Sequence, residues 1–183
     1  MAHINLGNEL PGIRGLMAYR PDTARALNEL AEILLRNDNN TLTRGERELI
    51  GSYVSSLNDC FFCHNVHGAL AQHYMQCDTQ YIDDIKSDFR STQLSEKMKS
   101  LLSIAGSVQK SGRQVSASQI EEAKNAGATD KEIHDTVLIA AAFCMFNRYV
   151  DGLATWAPAD RQVYIDRAPR RAEEGYIDFD LYK

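Results

Sequence analysis

The stretch "RGERELIGSYVSSLNDCFFCHNVHGALA", residues 44–71, decides the fold. It follows Thr43 and contains Glu46, a T-x-x-E arrangement in which hydroxyl and carboxylate each satisfy an unpaired N–H at a helix start. A helix over about 44–57 is the expectation. Asn58 or Asp59 then suits the cap of a second helix, predicted from about Asp59 to Met75. Cys60 and Cys63 would lie one turn apart on it, and His67 follows Cys63 by four, so all three share a face.

That grouping has chemistry in it. Cys60 falls in the predicted first turn, where unpaired N–H groups and the positive end of the helix dipole favour a thiolate. His67 is placed to take the proton of Cys63. A redox pair uses these parts directly: one thiolate attacks a peroxide or disulfide, and the other resolves the product into a Cys60–Cys63 disulfide. A zinc site is the competing reading, with Cys60, Cys63, His67 and either His64 or a distant ligand. No second C-x-x-C exists, however, and "CFFC" lacks the glycine of a tight metal-binding knuckle. An inert pair in a helical core is the third reading. The redox reading is preferred, with no metal and no cofactor expected. His64 points about 100° away from Cys63 on a helix and is set aside.

Outward from this stretch the pattern stays helical. The four prolines, Pro11, Pro21, Pro158 and Pro169, spare everything between residues 22 and 157. Residues 1–20, with Gly7, Pro11, Gly12 and Gly15, read as an irregular N-terminal arm. Pro21 suits a first helical turn. A short helix is expected around 78–87. Ser95, Ser116 with Gln119, and Thr129 with Glu132 each mark a further start. The longest helix is predicted over about 130–153, and its middle, Val137 to Phe146, is apolar all round. Such a helix is central to a fold or sits in a subunit interface. Residues 172–183 read as a C-terminal tail whose Tyr176, Ile177, Phe179, Leu181 and Tyr182 suggest docking against the body or a neighbouring subunit. The expectation is one all-α domain over residues 1–183, with residues 43–75 as a catalytic helix pair.

Composition narrows the function. A chain of 183 residues that is 44% hydrophobic can bury a core without disulfides or metals. A net charge of −5 and a pI near 5.5 argue against a general nucleic-acid surface and give no attraction to anionic membranes. No apolar run approaches a membrane span, and "MAHINLGNELPG" lacks the order of a signal peptide. A soluble, cytoplasmic protein is the expectation, and there the cysteines should not form a static framework. Cys77 and Cys144 stand alone and read as small buried apolar residues.

The motif resembles that of the AhpD-like branch of the carboxymuconolactone decarboxylase superfamily, the alkylhydroperoxidase-like proteins. The family pattern is a glutamate, eleven intervening residues, then C-x-x-C-x-x-x-H. Glu48, Cys60, Cys63 and His67 match all four positions. The later "AAFCMFNRYVDGLA" and the N-terminal "LPGIRGLMAYRPDTARAL" are similar to segments of the peroxidase-related subgroup. The resemblance implies a compact all-α oligomer and a thiol-dependent peroxidase or disulfide reductase, served by a thiol reductant protein. It implies that Glu48 orients His67 and that the two form a relay activating Cys63. It also implies that Cys60, nearer the surface, meets the hydroperoxide or partner disulfide. One position departs: where the best-known peroxidases carry a histidine before the second cysteine, this chain has Phe62. Two other classes are weighed. A decarboxylase of the lactone type would need acid–base residues and no dithiol. A non-enzymatic zinc-binding or redox-sensing module would use the cysteines without turnover.

Overall fold

Local capping chemistry starts the helices that carry the site. In the computed structural model, which describes residues 2–177, Thr43 and Glu46 form the reciprocal cap of α3 (Arg44–Leu57), and Thr129 and Glu132 form that of α8 (Asp130–Gly152). The other helices are α1 (Ile13–Tyr19), α2 (Pro21–Arg36), α4 (Phe61–Met75), α5 (Thr79–Asp88), α6 (Glu96–Lys110), α7 (Ala117–Asn125) and α9 (Gln162–Glu174). Among the described residues there is no strand. The fold is all-α.

Two boundaries differ from expectation at the ends of the chain. The N-terminal arm contains α1, which the run of glycines and Pro11 hid from sequence reading. At the other end α9 extends to Glu174, into the segment read as tail. Of the tail residues, Tyr176 is buried and Ile177 is half exposed; Phe179, Leu181 and Tyr182 lie outside the described residues.

The antiparallel neighbours α3 and α4 form the most extensive helix pair, with α8 and α6 packed on α3 and α9 on α4. Gly51 makes the α3–α8 approach possible. A Cβ there would sit 2.3 Å from Phe143 Cζ, so only glycine lets the buried Phe143 ring close on α3. Burying such a ring contributes about 1.5–3 kcal/mol. Arg47, 2% exposed, donates to the carbonyls of Leu34 and Asn37, satisfying acceptors that the end of α2 leaves over. Glu132 does comparable work at α8, accepting from Lys97 of α6 and from Thr41, both at 2.8 Å.

The apolar middle of α8 is central, as its composition requires, but one face is open. Leu138 and Met145 are 39% and 45% exposed, with the exposed Ala141 between them.

Candidate active site

The turn between α3 and α4 sets where the cysteines point. Asn58 ends α3 and is tied to three other side chains. Its amide nitrogen donates to Asn147 Oδ1 at 2.8 Å, and its oxygen accepts from Gln109 at 2.9 Å. Asn147 in turn donates to Ser55 Oγ at 3.0 Å. Asp59 is left-handed, with φ 56°, a conformation that aspartate tolerates better than most residues. Neither residue therefore caps α4. Cys60 is the N-cap itself, one position earlier than the expected first turn, and makes no side-chain cap bond.

This shift leaves Cys60 more deeply buried than expected. Cys60 is 0% exposed and lies behind Cys63, which faces a cavity together with Val66, His67 and Leu70 of the same helix. Cys60 is thus not the surface thiol. Nor does the helix start draw its proton off. Contact with the Cys63 sulfur, then burial, pushes the Cys60 thiol well above its ordinary value. The two sulfurs are 2.9 Å apart, both as free cysteines. A protonated Cys60 can therefore donate to Cys63. The Asp151 carboxyl of α8, a residue the sequence did not single out, is close enough for its charge to add to the upward shift of the Cys60 thiol. Although Asp151 is exposed as a residue, desolvation of its carboxyl raises its pKa and outweighs the lowering influence of the Cys60 thiol.

Glu48 and His67 meet across the α3–α4 interface. Glu48 is 1% exposed, and its Oε2 lies 2.6 Å from His67 Nδ1. With Nδ1–H directed at the carboxylate, Nε2 is the ring nitrogen left to accept a proton. The second carboxylate oxygen, Oε1, accepts from Tyr176 Oη at 2.7 Å. Burying a carboxylate costs several kcal/mol unless it is partnered, and here both oxygens are. Burial, then the Glu48 charge, hold the Tyr176 hydroxyl well above its ordinary value of 10.0, so it remains a donor. The Tyr176 ring stacks on His67, 15° from parallel at 6.3 Å, and the Phe143 ring meets His67 edge-on at 4.5 Å. Tyr176 is fixed in turn by Glu32 of α2, which accepts from its backbone N–H at 2.7 Å. Sequence reading placed Tyr176 in a docking tail and found no link to Glu48.

The remaining motif residues are turned elsewhere. His64 faces Lys86 of α5 at 3.4 Å, and burial, then Lys86 and Arg161, push its pKa down to about 4. Phe62 is a wall rather than a polar group. It packs against Tyr164 at 5.9 Å, and Gly12, with φ 56°, touches its ring so closely that a Cβ would lie 2.3 Å from Cγ. Arg161, at the start of α9, clamps Asp83 through two bonds and Asn65 of α4 through a third, holding α9 over the cavity. Cys77 and Cys144 are half-buried and apart from the pair, and Cys144 accepts a 3.6 Å contact from Asn58. Among the described residues no three histidine, cysteine or acidic side chains converge as metal ligands would. No helix of the described residues is long and apolar enough to cross a membrane.

A cavity of about 530 Å³ thus opens on Cys63 and His67, walled by α1, α2, α4, α8 and α9. Fold and site together define an all-helical protein with a C-x-x-C at the head of one helix and a carboxylate–imidazole pair beside it. The chain belongs to the carboxymuconolactone decarboxylase family, whose sequence profile matches residues 21–83 and 79–157. Its fold is the AhpD-like one. An uncharacterised peroxidase-related protein from Ralstonia eutropha JMP134, described as an alkylhydroperoxidase AhpD core, is 27% identical, with a TM-score of 0.76 over 85% of this chain and 80% of that one. A peroxidase-related protein from Silicibacter sp. TM1040 is 24% identical, with a TM-score of 0.75 over 85% and 78%. A protein of unknown function from Agrobacterium tumefaciens, described as a candidate AhpD antioxidant-defence protein, shares the fold at 20% identity and a TM-score of 0.68, over 79% and 97%. No curated protein matches the chain.

Proposed function

We propose that this protein is a thiol-dependent oxidoreductase that reduces organic hydroperoxides, or a partner's disulfide, through a Cys60–Cys63 dithiol/disulfide cycle. The observation that carries the reading is the 2.9 Å sulfur pair with Cys63 on the cavity wall, one turn from a His67 bound to Glu48. The peroxidase-related description of the Ralstonia protein supports it.

His67 Nε2 takes the proton of Cys63, and the thiolate sulfur attacks the terminal peroxide oxygen. The O–O bond breaks, an S–O bond forms, and the departing alkoxide takes the proton back from His67 and leaves as an alcohol. Cys63 is now a sulfenic acid. Cys60 attacks the Cys63 sulfur, the disulfide forms, and the departing hydroxide takes the Cys60 proton and leaves as water. A thiol reductant protein in a reducing, cytoplasmic setting would return the pair to the dithiol. Proximity is the main contribution to the second step, because the two sulfurs already touch. The open stripe of Leu138, Ala141 and Met145 suits the subunit contact of a homo-oligomer.

Peroxide-dependent turnover with dithiothreitol as reductant tests the reading. Glu48→Gln should lower kcat/KM by roughly 10²–10⁴, because it misorients the imidazole and offers the wrong tautomer. Full activity in Glu48→Gln, or in both Cys60→Ser and Cys63→Ser, defeats it. Decarboxylation of the lactone by the double serine variant would instead support the acid–base enzyme, and stoichiometric zinc lost with either cysteine the binding module.

A further inference from the structure

The cavity wall has a charge opposite to that of the chain. The protein carries a net charge of −5, yet among the described residues lining the cavity are four arginines, Arg14, Arg167, Arg170 and Arg171, against one carboxylate, Asp166, with Arg170 paired to Glu174 of its own helix. Most of the remaining lining is apolar, from Met17 and Leu27 at one side to Leu70 and Phe146 at the other. A volume of about 530 Å³ lies within the roughly 300–1,000 Å³ of sites that enclose a drug-sized ligand. An apolar chamber with a cationic wall is chemically matched to an amphiphilic acid.

Arg171 is the best placed of the four. Its guanidinium lies 4.5 Å from the centre of the Tyr176 ring, on the cavity wall. That ring stacks on His67, and its hydroxyl holds Glu48. The cation is therefore one aromatic ring away from the proposed base, while the Cys63 sulfur is one helical turn from that base along α4. The ring holds the guanidinium beside the cavity, and its N–H groups suit a planar, two-oxygen partner.

We propose that the cavity takes an apolar organic hydroperoxide that carries an acidic group, of the long-chain hydroperoxy-acid class, with the acid met by Arg171 and the peroxide delivered to Cys63. This rests on the peroxidase reading above. The acid group is unchanged in the reaction: the peroxide is reduced to the hydroxy acid, Cys63 is oxidised by two electrons to the sulfenic acid, and the proton on the new hydroxyl comes from His67. The dithiol reductant resets the pair.

The test compares linoleic acid hydroperoxide, its methyl ester and cumene hydroperoxide, each below its critical micelle concentration, with dithiothreitol as reductant. The wild-type protein should show kcat/KM for the acid on the order of tenfold above the ester, the worth of about one charge-assisted hydrogen bond. Arg171→Met should bring that ratio to about one, chiefly through KM. Turnover of acid and ester at equal kcat/KM overturns the acid-binding inference and leaves the peroxidase reading standing. No turnover of any of the three, with both thiols still reduced, overturns both. Should Arg171→Met fail to fold, the inhibition of cumene hydroperoxide turnover by linoleic acid against methyl linoleate decides in the wild type: equal inhibition rejects the inference, and preferential inhibition by the acid supports it.

Discussion

Tyr176 donates a 2.7 Å hydrogen bond to Glu48, a residue 128 positions earlier, and Glu48 binds His67 with its other oxygen. The chain end beyond α9 thus closes the buried charge that orients the imidazole. Tyr176→Phe keeps the ring against His67 and removes only the donor. It should destabilise the fold by about 1–3 kcal/mol, because a buried carboxylate oxygen loses its partner. It should also lower kcat for a small hydroperoxide by roughly tenfold with little change in KM. Denaturant melts and steady-state kinetics check both. A variant that loses stability but keeps kcat would reduce Tyr176 to a packing residue.

Gly51→Ala should damage the site from behind. The new methyl would occupy space held by the Phe143 ring, whose edge contacts His67 at 4.5 Å. Overpacking of this kind costs about 1–3 kcal/mol. Gly112→Ala, where a Cβ meets nothing within 4 Å, is the control and should leave stability nearly unchanged. Equal denaturation midpoints for the two variants would contradict the packing described.

Glu132 should give the fold an acid-sensitive element. Burial alone would raise its carboxyl, but Lys97, the Thr129 N–H and Thr41 outweigh burial and hold it at about 2, below the ordinary 4.5. Its folded value is depressed, so its contribution is complete above about pH 4.5 and is lost as pH falls towards about 2. Stability measured across that window should fall less steeply in Glu132→Gln than in the wild type. Parallel curves would exclude Glu132 as the source.

How much was legible follows from the range of each interaction. The caps at Thr43, Ser116 and Thr129 are three-residue exchanges, so sequence showed them and with them most helix starts. The shared face of Cys63 and His67 likewise follows from helical spacing. The burial of Cys60 did not, because the start of α4 depends on Asn58 bonding Gln109 and Asn147 from distant helices and on a left-handed Asp59. Tyr176 could not be foreseen as a partner of Glu48, since a single long-range hydrogen bond leaves no periodic signal. Phe62, conspicuous as a departure from the family pattern, has a packing role that only its contacts with Gly12 and Tyr164 reveal.

The central claim is that Cys63 reacts first and Cys60 resolves. It is tested by adding one equivalent of cumene hydroperoxide to the fully reduced protein, counting thiols and mapping the products by mass spectrometry with dimedone present. The wild type should lose two thiols per chain as a Cys60–Cys63 disulfide, and Cys60→Ser should accumulate a dimedone adduct on Cys63. Retention of all thiols, or an adduct on Cys60 in Cys63→Ser with an unreactive Cys63 in Cys60→Ser, would contradict the account.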